Sequence, residues 1–277
     1  MSNRRDVLSY IGVGAIGGML GYYTGAQELL GIQASTPREP TSQDTSTPVD
    51  STPPEENEPP ESEISDSINA QNGLAYNDGR IYFEDDGQIH QYDRSSGDIV
   101  TSFSYPTEGR NWPRGLAYGN DSLWFADVIG PSYDGAVAEL DPTTGEELSR
   151  ISMSWDPVGL GFGEGSLWVV DITSNTIREY SPSGEEQSSF SYSQPTGTTW
   201  GRGLTYYNGS LWLGNFCDSD GCTVSLFEFS TAGELLQETG QRTGDPPMGY
   251  GGLATAEDQL LGTNKDGNVS VLRSLEE

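Results

Sequence analysis

The stretch GLAYGNDSLWFAD, residues 115–127, decides the fold. Two short runs of alternating apolar residues flank Gly119-Asn120-Asp121, the signature of a tight β-hairpin. The same phrase recurs four more times, as GLAYNDGRIYFED from Gly73, GLGFGEGSLWVVD from Gly159, GLTYYNGSLWLGN from Gly203 and GLATAEDQLLGTN from Gly252. Successive phrases start 42, 44, 44 and 49 residues apart. Repeats of that length, built from short strands and glycine-rich turns, are the blades of a β-propeller. A helical solenoid of similar period is excluded, because no segment in this region carries a helix-length apolar stripe.

Each unit divides into four strands. In the second these are expected at Gly115–Tyr118, Ser122–Ala126, Ala136–Leu140 and Leu148–Met153. A turn joins the last two, Asp141-Pro-Thr-Thr-Gly145-Glu146, with proline early and glycine where positive φ is needed. It recurs as DRSSGD, SPSGE and STAGE. Trp124, Trp168 and Trp212 occupy one place on the second strands, with Tyr82 and Leu260 as counterparts, and are read as packing between blades. The fifth unit has only three strands before Glu277. A segment before the first phrase, Glu63–Ile68, stands where the others have a fourth strand. It is expected to pair with Asn268–Ser274 and close the ring, covering the edges that an open stack would expose. The expected fold is all-β: a five-bladed β-propeller of four-stranded antiparallel blades, rather than six or seven, closed by an N-terminal strand.

The phrases G-L-A-Y, S-L-W-F-A-D and E-L-D-P-T-T-G-E resemble those of secreted bacterial and archaeal propellers, including the glutamine cyclotransferase family and the broader NHL, YVTN and streptogramin-lyase-like repeats. The resemblance covers about residues 73–277 and implies fold more than activity. Cyclotransferase kinship would imply cyclisation of an N-terminal glutamine. Of that family's catalytic carboxylate motif only FGEG, Phe162–Gly165, is found, and it reads as the repeat's own hairpin turn. Lyase kinship would call for a histidine near the hub, whereas His90, the sole histidine, is expected in the middle of a third strand.

Charge bounds the partners. The chain has 277 residues, 42 acids and 13 bases, a net charge of −29, and one lysine, Lys265. Residues 73–277 alone hold 31 acids and 10 bases, so the acidity belongs to the repeats and not to a tail. Nucleic acid and anionic membrane surfaces are poor partners for this charge. Carboxylate-rich, lysine-poor surfaces suit a protein working in high salt, where screening relieves their mutual repulsion. Cys217 and Cys222, the only cysteines, bracket a small loop. Outside the cell they are expected to form a disulfide; free thiols are the alternative, and a zinc half-site lacks its second pair.

Residues 1–34 read as a twin-arginine export signal or an uncleaved anchor: Arg4-Arg5 precede a glycine-rich apolar run from Tyr10 to about Ala26. That run approaches the roughly 20 residues that span a bilayer. Residues 35–62, rich in Ser, Thr, Pro and Glu, lack the apolar content to fold and read as a disordered stalk. The propeller is assigned to residues 63–277. The chain is thus expected outside the cell, secreted by the twin-arginine route or held at the outer face of the membrane through its N-terminal segment, as a monomer.

In a propeller the loops entering the inner strands and leaving the second strands share one face, the channel mouth. Two rings of side chains fall there. One holds Trp112, Arg114, Trp155, Asp156, Trp200, Arg202, Met248 and Tyr250; the other holds Asp85, Asp127, Asp171, Asn215 and Asn264. Tryptophan stacks on sugars or flat groups and arginine pairs with carboxylates, so the first ring is a candidate ligand site. The same tryptophans could serve blade packing instead. The oxygens of Asp127, Asp171 and Asn215 suit calcium, although an Asp or Asn after a strand also caps its own turn. Val128–Gly135 and Phe216–Cys222 read as enlarged loops on this face, where insertions mark binding surfaces. Sequons at Asn120, Asn208 and Asn268 permit glycosylation. No nucleophile elbow, zinc-protease helix or phosphate loop is present. The expected function is non-catalytic binding or scaffolding by a halophilic microbe's extracellular propeller, with a small polar ligand, glycan or extracellular protein at the mouth. The alternative is a secreted enzyme, a glutaminyl-peptide cyclotransferase or a propeller lyase or hydrolase using carboxylates there.

Overall fold

The computed structural model describes residues 62–65, 68–70, 72–105, 113–129, 134–193, 199–217, 223–243, 248–249, 251–264 and 267–275. Residues 1–34 and nearly all of 35–62, expected to form an export segment and a stalk, lie outside these residues. Residues 56–277 form one compact unit.

Strand β1 is Ser62–Ser65. Blade 1 contains β2 (Leu74–Asn77), β3 (Arg80–Asp85), β4 (Gln88–Asp93) and β5 (Asp98–Ser104). Blade 2 contains β6 (Pro113–Gly119), β7 (Ser122–Ile129), β8 (Asp134–Leu140) and β9 (Glu147–Met153). Blade 3 is β10 (Pro157–Gly163), β11 (Ser166–Asp171), β12 (Thr176–Tyr180) and β13 (Glu186–Ser191). Blade 4 is β14 (Thr199–Tyr207), β15 (Ser210–Cys217), β16 (Thr223–Ser230) and β17 (Leu235–Thr243), with the short β18 (Met248–Gly249) added against β15. Blade 5 is β19 (Leu253–Ala256), β20 (Gln259–Thr263) and β21 (Val269–Ser274), and β1 supplies its outer strand. Every pairing is antiparallel, and the protein is a five-bladed β-propeller. The closing strand lies where expected: Ser62 pairs with Val271, Glu63 with Ser270 and Ser65 with Val269.

Local chemistry shapes each blade. The first hairpin turns at Asp78-Gly79, Asn120-Asp121, Glu164-Gly165 and Asn208-Gly209, all at positive φ, the type that matches strand twist. At the third-to-fourth turns Asp141 Oδ1 accepts the Thr143 and Thr144 amides at 2.9 and 2.8 Å, and Asp93 caps its turn in the same way. On the third strands Glu139, Glu179 and Glu228 accept from Ser122, Ser166 and Ser210 at 2.8, 2.7 and 2.7 Å. Part of the acidity is thereby built into the sheets.

The hub is a ring of glycines. A Cβ on Gly73 would lie 2.8 Å from Leu116 N, on Gly115 2.6 Å from Val158 O, on Gly159 2.4 Å from Arg202 O, and on Gly252 2.8 Å from Leu74 N. The glycine of the recurring phrase therefore lets neighbouring inner strands meet backbone to backbone. The channel between them is narrow, about 40 Å³, lined by all five inner strands.

The apolar cores lie between blades. Alternation along each second strand sends one side chain to each neighbour. Phe125 joins Tyr82, Ile89 and Phe103 of blade 1, while Trp124 joins Leu160, Leu167 and Tyr180 of blade 3. Tyr82 stacks on Tyr118 at 5.8 Å and Trp124 on Phe162 at 6.0 Å, so the second-strand aromatics do pack between blades. One assignment is corrected. The rung Ala117–Trp124 corresponds to Ala254–Leu261, so Leu261, not Leu260, is the counterpart in blade 5. The enlarged loop at 128–135 is partly ladder, since Val128 pairs with Gly135 and Ile129 with Asp134.

Candidate functional site

The residues before the hub glycines are Asn72, Arg114, Val158, Arg202 and Gly251, of which Val158 is buried in the core between blades 3 and 4. The β6–β7 and β14–β15 ladders shift register there, between Pro113 and Leu116 and between Gly201 and Gly203. Such bulges re-aim side chains. Arg114 and Arg202, both half-buried, thus come from corresponding places in blades 2 and 4. Asp156, which precedes the inner strand of blade 3, faces them. Its Oδ2 lies 3.6 Å from the Arg114 guanidinium. Burial pushes its carboxyl above the ordinary aspartate range; Arg114 and then Arg202 pull it back, and Asp171 pushes it up.

Trp155 is half-buried and packs against Tyr180 at 6.5 Å, with the Arg178 guanidinium over its ring at 5.2 Å. Arg178 also holds Asp171 at 3.0 Å and Glu186 at 3.2 Å. Trp155 is therefore tied into the blade 2–3 core as well as standing near the mouth. Trp112, Tyr250, Cys222 and the side chains of Trp200, Cys217 and Met248 lie outside the described residues, and with them the expected pairing of the two cysteines.

The ring of Asp and Asn residues is mostly engaged in hydrogen bonds to other parts of the protein. Asp171 Oδ1 accepts the Thr173 and Ser174 amides at 2.9 and 3.2 Å. Asn215 Oδ1 accepts the Ser225 amide at 2.6 Å, and Asn264 Oδ1 the Asn268 amide at 3.0 Å. Asp85 accepts from Asn69 at 2.9 Å, and Asp127 is buried at 2% exposure. Among the described residues no three His, Cys, Asp or Glu side chains gather to hold a metal ion. His90 is in the third strand of its blade, stacked on Phe83 at 5.1 Å.

Sequence reasoning missed Glu84, Asn72 and Tyr105. Glu84 is the penultimate residue of β3, where the other phrases carry Ala126, Val170, Gly214 and Thr263. This departure from the repeat was its legible signal. Glu84 is only 5% exposed. Its carboxylate accepts the Gly87 amide at 3.1 Å, the Tyr105 hydroxyl at 3.3 Å and the Asn72 amide at 3.3 Å. Burial raises its pKa; the Asn72, Gly87 and Tyr105 bonds oppose this, and the Asp85 charge adds to it. The Tyr105 hydroxyl is pushed up too, by burial and then by the Glu84 charge.

An acid whose folded pKa exceeds its unfolded one binds more protons when folded. Stability from Glu84 is therefore full below the ordinary glutamate range and falls as pH rises through the folded pKa. Glu84→Gln keeps an acceptor for Gly87 and Tyr105 without the charge. It is expected to raise stability at neutral pH by about 1 kcal/mol, the scale of one buried polar mismatch, and to flatten the decline above the ordinary glutamate range. Urea titrations of both proteins across that range check this.

The fold and mouth define a class, a five-bladed propeller with a polar, partly buried channel rim. No protein-family model and no curated protein matches the chain. Among solved structures it is similar to the glutaminyl cyclase of Myxococcus xanthus, at 16% identity over 74% of this chain and 90% of that one, with a TM-score of 0.56. It is also similar to a gluconolactonase of Xanthomonas campestris, at 21% identity over 70% and 68% of the two chains and a TM-score of 0.45. A third is virginiamycin B lyase of Staphylococcus aureus, at 17% identity over 72% and 64% and a TM-score of 0.45. These likenesses are of fold.

Proposed function

We propose that this chain is an extracellular, salt-adapted propeller that binds a small polar ligand at its channel mouth through Arg114, Asp156 and Arg202, with Glu84 and Asn72 on the blade 1 side. The observation that carries it is the burial of ionisable groups where the repeat does not need them. Glu84 replaces Ala, Val, Gly or Thr of the other blades, and Asp156 is held at 7% exposure between arginines of two other blades. Such groups cost stability and tend to mark function. Guanidinium groups recognise carboxylates, so a ligand with a carboxylate and amide groups fits this rim. The acidic surface and Arg4-Arg5 support export into salt. Asp171 Oδ1 caps its own turn and Asn215 Oδ1 accepts the Ser225 amide of β16, which argues against a dedicated calcium site at those oxygens.

A second reading rests on Glu84 alone. A buried carboxyl with raised pKa can carry a proton between an attacking amine and a leaving ammonia, the transfer needed when an N-terminal glutamine cyclises. The likeness of fold to a glutaminyl cyclase makes that the reaction to test first.

One experiment separates the readings. Glutaminyl dipeptides and small carboxylates are titrated calorimetrically in molar salt, and the same dipeptides are assayed for ammonia release. Binding without turnover, weakened about tenfold or more by Arg202→Ala, supports the first reading. Ammonia release that Glu84→Gln abolishes while binding persists establishes the second. If no probe binds and no ammonia forms, both are wrong.

A further inference from the structure

Four of the five blade interfaces follow one rule, and the fifth breaks it. Each blade turns a row of three paired residues toward the blade before it. The rows are Tyr76–Ile81–Tyr92, Tyr118–Leu123–Leu140, Phe162–Leu167–Tyr180 and Tyr206–Leu211–Phe229. In blade 5 the row is Thr255–Leu260–Arg273. Both flanking positions have become polar.

The third-to-fourth turn changes at the same interface. In blades 2, 3 and 4 its glycine rests on the outer strand of the preceding blade: Gly145 on Phe103, Gly184 on Ile151 and Gly233 on Phe190. Blade 5 takes its outer strand from the other end of the chain, so no hairpin joins β21 to β1. A cleft of about 720 Å³ lies at the blade 4–5 interface, lined in part by Tyr207, Ser210, Glu228, Gln237, Arg273 and Ser274. Its size falls within the roughly 300–1,000 Å³ of ordinary small-molecule sites.

The lining is organised. The Arg273 guanidinium lies over the Trp212 ring at 5.0 Å and donates to Gln237 Oε1 at 3.3 Å. Glu228 Oε1 accepts from Ser210 at 2.7 Å, and its Oε2 from Gln237. One cation and one anion thus stand among neutral donors and acceptors, with Tyr207 as an aromatic wall. The cationic stack is pre-oriented, which lowers the entropy cost of binding.

We infer that this cleft is a second binding site, distinct from the mouth, and that it takes a saccharide. Planar groups that both donate and accept, beside an aromatic wall and without a dominant charge, match a ring of neutral hydroxyls better than an anion or an apolar ligand. Closing the ring with the N-terminal strand removes the turn that would cover this groove, and Arg273, where the other rows end in Tyr, Leu or Phe, brings a charged group to the uncovered surface; Thr255 instead lines the channel and bonds the Tyr206 carbonyl.

The probes are glucose, galactose, N-acetylglucosamine and cellobiose, titrated into the full chain in molar salt by calorimetry and by tryptophan fluorescence. At least one is expected to bind with a Kd of about 1 mM or tighter. Gln237→Leu, a change at an exposed outer-strand position, and Arg273→Met are each expected to weaken it about tenfold or more. Arg114→Ala, at the mouth, should leave it unchanged. Thermal unfolding of each variant distinguishes loss of binding from loss of fold. The proposal is overturned if no saccharide binds, if binding survives both cleft variants while they remain folded, or if it is lost in Arg114→Ala instead.

Discussion

Gly159→Ala is expected to destabilise the propeller by about 3 kcal/mol or more, the upper end of overpacking costs. The added Cβ would meet Arg202 O at 2.4 Å and Leu204 Cβ at 3.0 Å. The carbonyl belongs to the backbone of the next inner strand, so relief requires moving a whole blade within a closed ring. Gly165→Ala is the control. It sits in a hairpin turn at φ +78° with nothing near the added carbon, so its cost is conformational alone, about 1 kcal/mol. Urea unfolding of both variants in molar salt compares them. If Gly159→Ala costs no more than Gly165→Ala, the hub is not held by close backbone approach.

The second large effect concerns closure. A chain beginning at Glu56 retains β1; one beginning at Asp66 loses it but keeps Ile68 and Ala70, which are 1% and 0% exposed in the blade 5–1 core. The shorter chain leaves the β21 edge unpaired, with its amides and carbonyls free to recruit another strand. It is expected to be less stable by about 3 kcal/mol or more and to self-associate as its concentration rises. Chemical denaturation and sedimentation of the two chains measure both effects. Equal stability and a monomeric short chain would show that β1 does not hold the ring shut.

Much of the architecture was legible beforehand because propeller repeats write their geometry locally. The Gly-Leu phrase encodes a hairpin, the alternation encodes two buried faces, and the Asp-Pro-Thr-Thr-Gly turn encodes its own cap. The outer strand missing from the fifth unit pointed directly to β1. The strands themselves run further than the phrases suggest: β6 reaches back to Pro113, and β7 and β8 continue into what reads as a loop, because ladder pairing extends as long as the partner backbone does. Leu260 reads one rung off, since the fifth phrase lacks the aromatic that marks the register elsewhere.

The candidate site was legible only in part. Arg114 and Asp156 are legible from their place in the repeat, and they meet; Trp155 also belongs to the packing between blades. Glu84 sits in a phrase already read as structural. What marks it is its difference from four equivalent residues together with its meeting Asn72 and Tyr105, twelve and twenty-one positions away.

From its own order the chain determined the blade count, the strand directions, the turn types and the strand that shuts the ring, since each depends on neighbours within one repeat or on the spacing between repeats. The tertiary structure alone decided which polar groups come together at the mouth and which interface stays open. Those outcomes depend on how each blade's face meets the next, and that register exists only once five sheets are locked around a common axis.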